Sequence, residues 1–117
     1  MEFTGELYET TLGRRPLREF LDAIKETDPD DFAAIMAGIA KLRNRQYHRL
    51  PLSKPIGNGL FELRHVGKQN ARLLYFFAAR RRVVIVHGIR NKSVEIPKRD
   101  REVALERRED WLLGDVS

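Results

Sequence analysis

An α+β domain, with helices packed on one face of a mostly antiparallel sheet, is the fold class this sequence predicts. Three observations carry that expectation. Two amphipathic helical patterns follow each other between Pro16 and Arg45, three strand-like segments follow between Phe61 and Ile89, and one further helical pattern opens at Pro97. The order is strand, helix, helix, three strands, helix. No internal repeat, low-complexity tract or linker interrupts it, so one domain over residues 1–117 is expected.

Residues 2–11 alternate loosely, with Phe3, Leu7 and Tyr8 among polar neighbours, and suit a short strand before Gly13. Pro16 is placed as the first residue of a helix, and Leu17, Phe20, Leu21 and Ile24 form one apolar stripe to about Lys25. Thr27 or Asp28 can cap a second helix, with Pro29, Asp30 and Asp31 in its first turn, where the helix dipole favours negative charge. Phe32, Ile35, Met36, Ile39 and Leu42 continue its stripe, and Lys41, Arg43 and Arg45 close it. Residues 46–59, rich in Pro and Gly, read as a loop. Strands are expected at 61–66, 71–78 and 83–89, joined by a turn at 67–70 and a hairpin at 79–82. The last helix carries both charges and reads as solvent-facing along most of its length.

Sheet parity sorts the side chains of the last two strands. A two-residue hairpin loop at Arg80 and Arg81 pairs Leu74 with His87 and Arg72 with Ile89. Arg72, Leu74, Phe76, Ile85, His87 and Ile89 then share one face, and Leu73, Tyr75, Phe77, Val84 and Val86 the other. The second set is apolar and belongs under the helices, with Tyr75 in the core, which leaves the Arg72 face open. A three-residue loop would reverse the placement of His87. An Arg within an apolar strand must be paired or solvated. Glu62 on the neighbouring strand can pair with it, which is the structural alternative to a functional role.

Charge is concentrated on the sheet. Residues 60–92 hold six Arg and two Lys against the single acid Glu62, a net of +7, whereas the whole chain nets +5. With sixteen Arg to six Lys, the chain favours a phosphate-bearing partner, because the guanidinium fork matches phosphate oxygens. With no Cys, disulfides, Cys-ligated zinc and thiolate catalysis are excluded. No carboxylate cluster or His pair at metal-ligand spacing is visible, so neither metal nor cofactor is expected. The acidic N-terminus lacks a signal pattern and no long apolar run is present, which fits a cytoplasmic location.

The segments Leu60-Phe61-Glu62-Leu63-Arg64, Ala71-Arg72-Leu73-Leu74-Tyr75-Phe76-Phe77 and Val86-His87-Gly88-Ile89, with Asn91-Lys92 and Pro97, resemble the HigB/RelE-like toxins of bacterial toxin–antitoxin systems, in their phage-derived branch. Ile89 and Asn91 stand where that pattern shows Phe and Lys, and Trp111 is the nearest aromatic to the C-terminal Tyr that the wider family often carries. The resemblance implies a RelE-like fold and a toxin that cleaves messenger RNA in the ribosomal A site. It also implies a cognate antitoxin, often a helix-turn-helix protein, in a hetero-oligomeric complex. A metal-free ribonuclease uses the ribose 2′-hydroxyl as nucleophile and needs a base, cations for the phosphorane and an acid for the leaving 5′-oxygen. Arg72 and Lys92 are the expected phosphorane stabilisers. His87 is a candidate for proton exchange, Glu62 is the alternative base, and Arg64, Lys68 and Arg90 are assigned to gripping RNA or ribosomal backbone. The competing expectation is a non-catalytic nucleic-acid- or antitoxin-binding module on the same basic face, and a third is a partner whose basic face receives an acidic protein.

Overall fold

The computed structural model describes residues 2–64, 71–90 and 95–115. In chain order the elements are β1 (Thr4–Leu7), α1 (Pro16–Thr27), α2 (Pro29–Lys41), a 3-10 turn (Arg45–Tyr47), β2 (Ser53–Gly57), β3 (Leu60–Leu63), β4 (Ala71–Ala78), β5 (Arg82–Arg90) and α3 (Lys98–Gly114). The sheet runs β1-β5-β4-β3-β2, with β1 parallel to β5 and every other pairing antiparallel. The chain is therefore α+β, with a mostly antiparallel open sheet compatible with a RelE-like fold.

Helices α1 and α2 follow their apolar periodicity. Leu17, Leu21 and Ile24 on α1 and Ile35 on α2 are buried, whereas Met36 stays exposed. Asp28 is the cap, its Oδ1 accepting the Asp31 N–H at 3.1 Å, while the Thr27 hydroxyl turns back to the Ala23 carbonyl at 3.2 Å. The stripe of α1 lies on the Leu73 face of the sheet. Gly88, paired with Leu73, makes that approach possible, since a Cβ there would sit 2.5 Å from the Phe20 ring. Tyr75 lies wholly in the core, as expected from parity, and its hydroxyl donates to Ser53 Oγ at 2.6 Å.

Three features differ from the sequence expectations. The supposed loop at 46–59 contains the edge strand β2, paired antiparallel with β3. An edge position tolerates Pro55, whose missing N–H would break a central ladder, and so its Pro/Gly content disguised a strand. The β4–β5 hairpin closes through three residues, because Ala78 pairs with Arg82. His87 nevertheless pairs with Leu74, since a bulge at Val86 shifts the register by one. The shift moves Ile85 to the Tyr75 face and Val84 to the Phe76 face.

The third difference concerns α3. Sequence reading left this helix solvent-facing and the Arg72 face open, but α3 covers much of that face. Trp111 packs edge-on to Phe76 at 5.6 Å between ring centroids, and Ala104 is fully buried. Its other inward groups are polar and satisfied. Arg107 Nη1 donates to the Val86 carbonyl at the bulge (2.8 Å), Arg101 to the Ile56 carbonyl (2.7 Å), and Arg108 to the Asn58 carbonyl. Tyr8 donates to Asp110 at 2.6 Å, and the Arg82 fork holds Asp115 at 3.0 and 2.8 Å. Burial and the Asp110 carboxylate together push the Tyr8 phenol up to about 12, so it remains a donor. Among the described residues, no helix is long and apolar enough to cross a membrane.

Candidate functional site

β3, β4 and β5 bring most of the sequence-predicted residues to one end of the sheet. Arg72 is the second residue of β4 and Glu62 the third of β3; their partners Leu74 and Ile89 put both on the face shared with His87. Arg72 Nε lies 3.8 Å from Glu62 Oε1, and Arg64 Nε reaches the same oxygen at 3.4 Å. Glu62 is only 4 % exposed, so its charge is countered by two guanidinium groups rather than by water. The Arg72–Glu62 pair weighed from the sequence is thus formed. It does not satisfy Arg72 fully: Nη1 is buried without a hydrogen-bond partner among the described residues.

A buried donor left unmade costs roughly 1–3 kcal/mol, and more on a charged group. Such a donor is matched by an incoming acceptor, and a phosphate oxygen suits the guanidinium fork. The side chain of Arg72 retains 15 % exposure, which leaves an approach open. Lys54, directly opposite Glu62 on β2, adds an exposed cation to the same face.

His87 is more constrained. An arginine can only donate, so the 3.1 Å contact from Arg107 Nη1 makes His87 Nδ1 an acceptor. Nε2 then carries the proton and donates to Asp100 Oδ1 at 2.7 Å. Burial, with the charge of Arg107, holds the imidazole pKa below 6.5 against the opposing pull of Asp100. His87 is therefore neutral at pH 7, with both nitrogens engaged by α3.

Arg90 closes β5 at the same end, exposed, but its partner Ala71 puts it on the opposite sheet face from Arg72. Lys68 and Lys92 lie outside the described residues, within 65–70 and 91–94. Their flanking residues Arg64, Ala71 and Arg90 belong to this end of the sheet. The +7 excess is divided between two ends, for Arg80 and Arg81 sit in the distant hairpin and Arg82 is consumed by Asp115.

Sequence reasoning missed Asp100 and Arg107, the residues that fix His87. A signal was present. Asp100, Ala104, Arg107 and Trp111 recur at i, i+4, i+7 and i+11, an inward stripe whose charged members hid it from a search for apolar periodicity. A comparison with curated proteins finds no match. The family model described as phage-derived protein Gp49-like (DUF891) matches residues 19–109. That match covers most of the chain, and with the α+β sheet described above it establishes that the protein belongs to the phage-derived Gp49-like family, a toxin family of toxin–antitoxin systems.

Proposed function

We propose that this chain is a HigB/RelE-type toxin, a single domain that cleaves mRNA on the ribosome without a metal and is neutralised by a cognate antitoxin. The observation that carries the reading is the half-satisfied Arg72, held beside Glu62 with one buried guanidinium nitrogen free of partners among the described residues. In the proposed reaction the 2′-hydroxyl gives its proton to the base and its oxygen bonds to the adjacent phosphorus. The bond to the 5′-oxygen breaks as that oxygen takes up a proton, and a 2′,3′-cyclic phosphate forms. Arg72 and Lys92 neutralise the phosphorane. Arg64, Lys68 and Arg90 hold the RNA or ribosomal backbone, with Lys54 beside them.

The base is assigned to one of two groups. Neutral His87 has the proton-accepting form at pH 7, but Nδ1 becomes available only when Arg107 turns away. Glu62 is already a fixed acceptor next to Arg72. His87→Gln slows cleavage without weakening ribosome binding if His87 exchanges the proton; equal loss of binding makes it a structural residue. Such a toxin acts where ribosomes are, in the cytoplasm, and its complex with a helix-turn-helix antitoxin is a hetero-oligomer.

A second reading is favoured by one observation. With His87 doubly engaged and Glu62 ion-paired, the same face would suit a non-catalytic nucleic-acid or antitoxin binder. Induction in bacteria with and without the neighbouring gene product tests for a toxin, and primer extension showing cuts at translated codons then separates nuclease from binder. Growth arrest relieved by the neighbour, and lost in Arg72→Ala, is the expected result. Arrest by the folded Arg72→Ala protein at the parental level would defeat the assignment.

A further inference from the structure

A cavity of about 440 Å³ lies between the end of α2 and the turn into β2, and of its lining only Arg64 has a part in the reaction proposed above. Its apolar walls are Tyr47, Pro51 and Leu52; the polar groups around them are Gln46, Arg49 and Arg64. Lys41 stands 5.6 Å over the Tyr47 ring and completes a cationic rim. The volume falls within the range of small-ligand sites, which combine apolar walls with a few placed polar groups.

The walls are held in position by local hydrogen bonds rather than by chance packing. Asn44 Oδ1 accepts the Gln46 N–H at 3.1 Å, and the His48 imidazole contacts the Leu42 carbonyl at 2.6 Å. The Ser53 N–H reaches the Arg49 carbonyl at 3.0 Å, and the Arg64 N–H reaches that of Leu52 at 2.7 Å. A preformed aromatic wall ringed by three cations and one amide matches a planar, polar-edged ring carrying phosphate. The cavity is also continuous in chemistry with the Arg72 cluster, because Arg64 lines it and shares Glu62 with Arg72.

We propose that this cavity is a nucleobase subsite: one unstacked base of a bound RNA strand lies against Tyr47 and Pro51, its edge meets the Gln46 amide, and its adjoining phosphates meet Arg49 and Arg64. The assignment rests on the reading of the basic face as an RNA-binding surface, but it does not require that the chain cut RNA. A strand anchored at Arg72 would thereby gain a base preference at one position beside the anchored phosphate.

The test is ring-resolved NMR of Tyr47 in the full chain, titrated with each 5′-mononucleotide and with ribose 5-phosphate. Saturable shifts with at least one mononucleotide, clearly larger and tighter than those with ribose 5-phosphate, are expected. Tyr47→Ala should weaken that binding about tenfold, the scale of one base–aromatic stack, while Tyr47→Phe retains it and controls for folding. A short oligoribonucleotide blocked by 2′-deoxy sugars should bind more tightly than the mononucleotide. Equal affinity of the two would overturn the RNA assignment, and equal shifts with ribose 5-phosphate would reduce the cavity to an anion site. No response to any nucleotide, or a response to the antitoxin alone, would overturn the subsite altogether. Because no arm involves cleavage, binding at Tyr47 by a protein that cuts no mRNA would sink the nuclease reading and leave this one standing.

Discussion

At the scale of single residues, the site is a set of paired polar groups with one buried donor, Arg72 Nη1, left without a partner among the described residues. Arg72 has a partner for Nε in Glu62 and none for Nη1 among the described residues, so one donor of its fork is left for an incoming acceptor. Arg72→Lys keeps the charge but loses the planar fork. It should impair toxicity severely, whereas conservative replacement of a mere surface cation would be tolerated; graded growth assays with matched expression check this. His87 gives a stability prediction whose sign follows from its depressed pKa. The unfolded imidazole titrates near 6.5 and the folded one lower, so the unfolded chain binds the extra proton first as pH falls. The contribution of His87 to stability should be flat above about pH 7 and decline as pH drops through 6.5 toward the folded pKa. Thermal melts at pH 7.5 and 5.5 should show a smaller difference for His87→Gln than for the parent; an unchanged difference would place the titration elsewhere. Arg72, Glu62 and Arg64 could be read from the sequence because a charge in an apolar strand demands an explanation. The tautomer of His87 could not, because it depends on Asp100 and Arg107, thirteen and twenty residues away on another element.

At the scale of elements, close packing and backbone strain decide what each segment tolerates. Gly88 sits under Phe20 of α1, and Gly88→Ala should cost about 1–3 kcal/mol by overpacking, with Phe20→Leu restoring part of it in denaturant titrations. The hairpin holds Arg80 and Arg81 at φ of 64° and 56°, a region that costs an L-residue roughly 1–2 kcal/mol. Arg81→Gly should therefore raise stability by about 0.5–1 kcal/mol after the entropic cost of glycine is subtracted, readable as a higher melting temperature. Helices α1 and α2 and strands β3, β4 and β5 were legible because their apolar spacing has one period each. β2 was not, because its Pro and Gly mimic a loop, and α3 was misjudged because its docking is polar. The bulge at Val86 was invisible as well. Two departures, a three-residue loop and a one-residue bulge, cancel at His87, so its expected partner Leu74 was reached by a different route.

At the scale of the whole molecule, charge is sorted by position. One end of the sheet gathers Arg64, Arg72 and Arg90, while Asp100 and Asp110 of α3 and Asp115 just after it are engaged by His87, Tyr8 and Arg82. Such an arrangement lets the helix dock without cancelling the basic surface, and it should make ribosome binding fall steeply with salt, as phosphate contacts do. The family assignment supplies an antitoxin partner in general terms. The central claim is that this end of the sheet cuts mRNA in the ribosomal A site through Arg72. Its most direct measurement is primer extension on mRNA held in purified, programmed ribosomes, with the parent protein and with folded Arg72→Ala at equal occupancy. Cuts within the A-site codon by the parent and none by the variant are expected; intact mRNA with ribosome-bound parent, or equal cutting by both, would contradict the account.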